Sequence, residues 1–416
     1  MDKALENAVF CKAVYAKNLK EIPLHPVTGA VNQDSDIFAC DFKALRKSGF
    51  CEAEAVSFLK SYKIKASVLK SSGLQMAVFE NARGRKTVAV AGTNDFRDVL
   101  TDFHLFRAVE HLTQPIRKRL LEACRVLEGW KMTGVISPDE KFGLTGHSLG
   151  GYIAHALSFM TRGVNISSLY TFNAPVPSDD GLEKFFPGAF VSSCKPRNFY
   201  AEAGFNATSD LHGFIKKHPE KYGMYVPFFV NGTSYEMDGH FIQKCVESLY
   251  VKQFLEDIGL RMTNACFNQT AKSCCDSAGQ GSLEKMVNII AEELGYTYRL
   301  KPGNTSDIYN FTSQIKKDLK GRRLNLSSVF HLKEPEAYIT PSENPKHCAF
   351  CRAVRRNSPF VLETEGTDPA LRLAVEEAEQ YMKGVFSLFL IVLTACLLNV
   401  IMMPNLLIIN NKQAID

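Results

Sequence analysis

The sequence lacks several features that would assign its class directly. Residues 1–7 have no apolar core of the kind found in a secretory signal, so we expect a reducing compartment for the main domain. The 12 cysteines follow no repeating spacing, which favours free thiols over a disulfide framework. No basic stretch is interleaved with aromatic residues, so nucleic acid is not an expected partner.

A complete metal-binding motif is also missing. Cys348 and Cys351 have a C-x-x-C spacing beside His347. A structural zinc site needs four ligands, and no second C-x-x-C or H-x-x-x-H pair lies nearby. We therefore predict no metal site.

The composition is that of a folded protein with an unevenly placed charge. Of the 416 residues, 22% are charged and 45% are hydrophobic, and the net charge is +5. Residues 297–356 contain 12 Lys or Arg and 5 Asp or Glu, which more than accounts for the surplus. This segment is either a solvated basic face or a surface that attracts anionic lipid head groups.

The most informative motif is Gly146-His147-Ser148-Leu149-Gly150. It has the G-x-S-x-G pattern of a nucleophile elbow, a sharp strand-to-helix turn that exposes a serine. Small flanking residues allow the serine to stand at the strand end without steric overlap. The strand-like run before the motif and the helix-like run after it supply the required context.

Alternation of strand-like and helix-like segments predicts an α/β fold. Strands are expected at residues 76–80, 87–91, 141–145, 168–172 and 197–201, and helices at residues 4–15, 116–130, 152–160, 241–255 and 282–294. Residues 266–281 are polar and are predicted to form a loop. Strands that alternate with helices of this length favour a mainly parallel sheet with helices on both faces.

One long apolar run lies near the C-terminus. Residues 385–403 carry no charge and have only Ser387, Thr394 and Asn399 as polar interruptions, and a second apolar cluster follows after Pro404 at residues 406–409. About 20 helical residues span the hydrocarbon core of a bilayer. We predict a single transmembrane helix, hence a membrane protein with a C-terminal anchor and a cytosolic catalytic domain.

Seven N-x-S/T sequons are the one feature that favours a lumenal location. They lie at Asn165, Asn206, Asn231, Asn268, Asn304, Asn310 and Asn325.

A catalytic serine needs a histidine to take its proton and a carboxylate to orient that histidine. Ten histidines are present, and in an α/β-hydrolase the acid and then the histidine follow the serine along the chain. The order alone leaves several histidines and acids open.

Three blocks of sequence resemble the class 3 lipases of the α/β-hydrolase superfamily. They are the segment from Val88 to Asp102, the elbow itself, and the run Thr171-Phe172-Asn173-Ala174-Pro175. The resemblance covers roughly residues 76–255 and is weaker after about residue 177. One departure is Ala91, where members of the family often have an arginine.

The resemblance implies a site built around Ser148 as nucleophile. It implies His240 as the base, with His218 as the second choice, because the family places its histidine in a loop before a terminal helix. The oxyanion hole would consist of the backbone N–H groups of Thr93 and Leu149. No organic cofactor is required.

The resemblance places the triad acid in the loop after the strand at residues 197–201. Asp210 is the chosen acid, and Glu202 and Asn206 are the alternatives in the same loop.

We therefore predict a lipase-like α/β-hydrolase domain at residues 1–260, a basic extension of unknown fold at residues 261–383, and the membrane helix. The expected activity is hydrolysis of acyl esters of membrane lipids, of lipase or phospholipase A type, through an acyl-enzyme. The alternative is a non-catalytic lipid-binding or scaffold protein that retains the fold. The oligomeric state is not predicted.

Overall fold

The central strands contribute to two separate hydrophobic cores, because their successive side chains point to opposite faces of the sheet. In strand β2 (Gln75–Asn81), Ala77 and Phe79 belong to one buried cluster, whereas Met76 and Val78 belong to another. Successive residues of a strand point to opposite faces of the sheet. The sheet must therefore be covered on both sides.

The computed structural model describes residues 3–22, 31–92, 114–160, 165–176, 194–201, 222–231, 237–258, 263–273, 281–301 and 305–318. The remaining strands are β1 (Tyr62–Leu69), β3 (Lys86–Val90), β4 (Phe142–His147), β5 (Ile166–Phe172), β6 (Arg197–Ala201) and β7 (Met224–Phe228). The helices are α1 (Lys3–Ala13), α2 (Asp36–Lys47), α3 (Glu52–Ser61), α4 (Gln114–Met132), α5 (Leu149–Met160), α6 (Ile242–Asp257), α7 (Asn264–Ser273), α8 (Ser282–Glu293) and α9 (Thr305–Asp318).

The described strands form one sheet of seven in the order β1-β2-β3-β4-β5-β6-β7. The first three strands pair antiparallel, and each pairing from β3 to β7 is parallel. The prediction of a mainly parallel sheet is confirmed. The predicted strands at residues 76–80, 87–91, 168–172 and 197–201 are all present within one or two residues.

Helices cover both faces of the sheet. On one face, α4 and α5 contribute side chains such as Leu120 and Leu157 to the core. On the other face, α1, α2, α3 and α6 contribute side chains such as Phe10, Phe58 and Val246. Burial of these apolar side chains stabilises the layers by about 25 cal/mol per Å² removed from water.

A buried ion pair fixes helix α1 against α3. The ammonium group of Lys12 binds the two carboxylate oxygens of Glu54 at 2.7 and 2.9 Å and lies 4.5 Å from the centre of the Phe50 ring. Each charge is satisfied, as burial requires. This anchor holds the end of α1, and therefore Tyr15, at a defined place beside the sheet.

Helices α6 to α9 share a third hydrophobic cluster. Phe254 of α6 packs with Phe267, Met286 and Ile308 from the three helices that follow. The predicted boundary at residue 260 thus falls between helices that bury a common core. The extension continues past the described residues, and its division from the first domain stays a prediction.

The prediction of a loop over residues 266–281 is wrong in its first half, because α7 occupies residues up to Ser273. Phe267 and Ala271 of this polar segment are buried one helical turn apart, and that narrow apolar stripe is enough to seat the helix.

No helix in the described part of the chain is long and apolar enough to cross a membrane. The predicted membrane helix at residues 385–403 lies outside that part.

Candidate active site

Ser148 stands on a turn between strand β4 and helix α5. Its backbone has φ of 54°, in the left-handed region that residues other than glycine rarely adopt. Its N–H donates to the carbonyl oxygen of Phe172 at 2.9 Å, at the end of neighbouring strand β5. The turn is therefore strained and held by the sheet, as expected for a nucleophile elbow.

Close backbone packing explains the glycines around the serine. A Cβ atom on Gly146 would overlap the backbone of Gly150, and one on Gly150 would overlap the backbone of Val90 and Ala91. The helix therefore leaves the strand at an angle that only these small residues allow. The same geometry makes Leu149 the first residue of α5, so its N–H has no acceptor within the helix.

The structure brings His240 to the serine. Nε2 of His240 lies 2.9 Å from Oγ of Ser148, although the two residues are 92 positions apart. His240 ends a short 3₁₀ turn (Met237–His240) directly before α6. Both residues are buried, with 2% and 6% of their surfaces exposed. This distance suits proton transfer between a hydroxyl and an imidazole.

A chain of hydrogen bonds runs behind this pair. The N–H of Gly92 donates to the Tyr15 hydroxyl at 3.0 Å, and that hydroxyl lies 2.8 Å from Nδ1 of His147. Nε2 of His147 lies 2.7 Å from the carbonyl oxygen of His240. Because the carbonyl can only accept, Nε2 carries the proton, and Nδ1 then accepts from Tyr15. The chain joins four segments: the residues after α1, the end of β3, the elbow, and the 3₁₀ turn that carries His240.

Asn173 also supports the 3₁₀ turn that carries His240. It follows β5 with φ of 48°. Its amide nitrogen donates to the carbonyl oxygens of Gly239 and His240 at 3.1 and 3.0 Å, and its amide oxygen accepts from the Ala201 N–H at 2.8 Å. The carbonyl of His240 therefore has two donors, and the backbone of the base is fixed on both sides.

Burial lowers the pKa of both imidazoles of the site, those of His147 and His240. Burial lowers the pKa of His147 to about 4, partly offset by its hydrogen bond to His240. Burial, together with the neighbouring His147, lowers the pKa of His240 well below its ordinary value. His240 is thus neutral at pH 7 and able to accept a proton from Ser148.

Several predicted site residues lie outside the described part of the chain. These are Thr93, His218 and the three candidate acids Glu202, Asn206 and Asp210. Their roles stay predictions. Within the described ranges, no three His, Cys, Asp or Glu side chains gather as metal ligands would, and Cys348 and Cys351 are outside those ranges.

Sequence reasoning missed Tyr15 and Asn173 as residues of the site. Tyr15 lies 132 positions before His147, and no local pattern links the two. Asn173 carries a usable signal, because asparagine tolerates the left-handed conformation better than most residues and follows a buried strand.

A mainly parallel sheet, helices on both faces and a serine elbow in contact with a histidine fit an α/β-hydrolase fold. No protein-family model matches the chain, and no curated protein sequence matches it.

Two solved lipase structures are distantly similar to the chain. Lipase II from Rhizopus niveus has 13% identity and a TM-score of 0.30, over 50% of this chain and 76% of that one. M37 lipase has 12% identity and a TM-score of 0.32, over 59% of this chain and 89% of that one. Similarity this remote has no bearing on the chemistry, which rests on the geometry of the site.

Proposed function

We propose that this protein is a serine ester hydrolase that cleaves acyl esters of membrane lipids. The observation that carries the proposal is the 2.9 Å contact between Ser148 Oγ and His240 Nε2 on a strained elbow. A serine hydroxyl is a weak nucleophile until a neighbouring base takes its proton. His240 is neutral, buried and within reach of that proton.

In the first half of the reaction, Ser148 Oγ attacks the ester carbonyl carbon while its proton passes to His240 Nε2. The carbonyl oxygen becomes an oxyanion, which accepts hydrogen bonds from the N–H groups of Leu149 and, by resemblance, Thr93. The C–O bond to the alcohol then breaks, and the alcohol oxygen takes the proton from His240. An acyl-serine ester remains.

In the second half, water attacks the acyl-serine carbonyl and gives a proton to His240 Nε2. The tetrahedral intermediate collapses, Ser148 Oγ regains that proton and the fatty acid leaves. No metal and no organic cofactor take part in these steps. Each oxyanion donor of this kind is worth about 10² to 10³ in rate.

The mechanism also needs a carboxylate beside Nδ1 of His240. We propose Asp210 for this role, with Glu202 and Asn206 as the alternatives. An aspartate would hold the Nδ1 proton, leaving Nε2 to accept, and would stabilise the imidazolium. Asparagine cannot supply the negative charge.

The substrate class follows from the apolar run at residues 385–403. A helix anchored in the bilayer would keep the active site where acyl esters are concentrated, which raises the effective substrate concentration. Phospholipids and glycerides are therefore the proposed substrates, with phospholipase A-type cleavage as one form of the reaction.

Two of the seven sequons are buried and hydrogen-bonded in the fold. Asn231 donates to Glu284 and accepts from the N–H of Leu283, and Asn268 accepts from the N–H of Phe229 and donates to the carbonyl of Pro227. A glycan on either amide would break these bonds and could not fit in the core. These two sequons thus serve the fold and give no support to a lumenal location.

Lipid hydrolysis by the full-length chain in detergent tests the proposal. Mixed micelles would carry phosphatidylcholine with different acyl chains at its two positions, together with a diacylglycerol and a triacylglycerol. Fatty acids released over time would be measured by mass spectrometry for the wild type and for Ser148→Ala. We expect acyl release from at least one lipid by the wild type and none above background by the variant.

Release by neither protein, with both shown to be folded by their melting curves, would favour the non-catalytic lipid-binding alternative. Equal release by both proteins would show that another residue is the nucleophile.

A further inference from the structure

A cavity opens near the amino ends of strands β5 and β6, whereas Ser148 lies at the carboxyl end of β4. Its volume is about 640 Å³, within the range of small-molecule sites. Ile166, at the start of β5, lines it, whereas the carbonyl of Phe172 at the end of β5 holds the elbow. Six residue steps along a strand put Ile166 roughly 20 Å from Phe172, and Tyr170, the lining residue of β5 that lies nearest to the elbow, is two residues from Phe172. Lys141, Asn165, Cys194 and Lys195 precede strands β4, β5 and β6, so most of the lining lies at the strand ends opposite the catalytic pair.

The lining of the cavity is strongly basic. Lys3, Lys141, Lys195 and Arg197 all border it, and no aspartate or glutamate does so among the residues that the structure describes. The hydroxyls of Ser167 and Ser168 add neutral hydrogen-bond donors.

None of these four cations forms an ion pair with a carboxylate of the described residues. Lys12, Lys86 and Lys252 bind carboxylates at 2.6 to 2.8 Å elsewhere in the fold. The acid next to Lys141 in sequence, Glu140, is already bound to Lys86.

Four like charges around one cavity repel one another, and an anion between them would convert that repulsion into attraction. The Tyr170 ring helps to position the guanidinium of Arg197 for anion binding, since the guanidinium lies 5.9 Å from the centre of that ring. Guanidinium binds phosphate oxygens in a bidentate manner, and lysines bind phosphate as point charges.

We propose that this cavity binds a phosphate ester carrying more than one negative charge. The volume admits a group larger than inorganic phosphate, such as a sugar phosphate. The same chemistry is present in a free phosphate ester and in the head group of a phosphorylated lipid. Because most of the lining lies at the strand ends opposite Ser148, the ligand is not the ester that is cleaved.

Calorimetric titration of the full-length chain in detergent tests this site with two probes. Sodium pyrophosphate represents the soluble source, and micelles doped with phosphatidylinositol 4-phosphate represent the lipid source, with plain phosphatidylcholine micelles as reference. The test variant is Lys195→Gln/Arg197→Gln. The matched control is Lys43→Gln/Lys47→Gln on helix α2, which removes the same charge from exposed positions.

We expect at least tenfold weaker binding by the test variant and unchanged binding by the control. Binding of pyrophosphate identifies a soluble ligand, and binding of the doped micelles alone identifies a head group. Equal weakening in both variants, or no binding of either probe by the wild type, would overturn the proposal. The single variants Lys141→Gln and Lys3→Gln provide the same comparison if the double variant misfolds.

Ester hydrolysis without the anion should be the same in the test variant and the wild type. Loss of anion binding with hydrolysis intact separates this site from the catalytic one. Anion binding by a protein that hydrolyses no ester would overturn the proposed function and leave this site standing.

Discussion

The Tyr15 hydroxyl lies 2.8 Å from Nδ1 of His147, and Nε2 of the same imidazole lies 2.7 Å from the carbonyl oxygen of His240. His147 is thus a rigid spacer between the end of the first helix and the turn that carries the base. Its proton is fixed on Nε2 by the carbonyl, and Tyr15 supplies the complementary donor on the other side.

Replacement of Tyr15 by phenylalanine should weaken both folding and catalysis. The N–H of Gly92 and Nδ1 of His147 would lose their partner in a buried place, which costs about 1–3 kcal/mol of unfolding free energy. We expect kcat for a soluble ester to fall about tenfold, equivalent to about 1.4 kcal/mol, with KM little changed. Steady-state kinetics and urea unfolding measure the two effects.

The control is Tyr298→Phe, because Tyr298 is 53% exposed and far along the chain from the site. A kcat for Tyr15→Phe equal to that of this control would show that the hydroxyl does not position the site.

Substitutions of Asn173 should separate hydrogen bonding from backbone strain. Alanine and glycine both remove the donations to the carbonyls of Gly239 and His240, so both should lower kcat by a similar factor, about tenfold or more. Alanine also has to adopt φ near 48°, which costs it about 1 kcal/mol more than glycine. Thermal melting curves and steady-state kcat values of the two variants measure these effects.

Equal stability of the two Asn173 variants would contradict the strained conformation. Full activity in either would contradict the positioning role of the amide.

The close approach of Gly92 to the elbow predicts that Gly92→Ala loses most of its activity. An added Cβ would lie 2.7 Å from the carbonyl oxygen of His147, 2.8 Å from the Tyr15 hydroxyl and 3.0 Å from Cβ of Ser148. The end of β3 would have to move away from the serine, and we expect ester hydrolysis to fall by roughly 10² or more, as for loss of an oxyanion donor.

Gly129→Ala is the matched control for this prediction. Gly129 is in helix α4 and has nothing within 4 Å of an added Cβ, so alanine should stabilise the helix by up to about 1 kcal/mol. Wild-type activity in Gly92→Ala would be incompatible with the packing around the elbow.

The burial of His155 as a neutral imidazole predicts that the protein is less stable to unfolding in acid. It is fully buried in α5, its Nε2 donates to Asn198 Oδ1 at 3.0 Å, and burial lowers its pKa from 6.5 to about 4. The unfolded chain therefore binds more protons between these values, so stability falls as pH falls through this window, by about 3 kcal/mol in all. His155→Phe removes that contribution.

Urea unfolding of wild type and His155→Phe at pH 7 and pH 4.5 measures the difference. The wild type should be the more stable at pH 7, and its advantage should shrink by about 2–3 kcal/mol at pH 4.5. Burial raises the pKa of Glu247 to about 7, which gives the opposite trend, but this group is the same in both proteins and cancels. An advantage independent of pH would show that His155 is not buried as a neutral group.

The central part of the fold could be predicted from the sequence because its signals are local. Apolar alternation and flanking glycines identify β2, β3 and the elbow. Two strands are not predicted from the sequence, for physical reasons. Strand β1 has two buried residues in its first half, Tyr62 and Ile64, and none in its second half, where most residues are half-exposed. Strand β7 contains Pro227, which an outer strand tolerates because it pairs on one side in the described sheet.

The predicted helix at residues 282–294 is confirmed as α8, which begins at Ser282. Its N-cap is Gly281, with φ of 70°, a left-handed conformation that glycine adopts without steric cost.

Ser148 could be predicted from a local motif. His240 is predicted from the resemblance to the class 3 lipases, which place their histidine before a terminal helix, because the order of triad residues along the chain leaves several histidines open. Tyr15 and Asn173 act through contacts between distant parts of the chain, and such contacts leave no spacing in the sequence to read.

Reaction with a fluorophosphonate tests the central claim most directly, because the reagent traps a serine only where a base and an oxyanion site activate it. Intact full-length protein would be labelled, digested and analysed by mass spectrometry, alongside Ser148→Ala and His240→Ala. We predict one adduct, on the peptide that contains Ser148. The adduct should be absent from Ser148→Ala, and the rate of labelling should be lower by about 10² or more in His240→Ala. Folded wild-type protein that stays unlabelled, or labelling that survives Ser148→Ala, would contradict the assignment of Ser148 as an activated nucleophile.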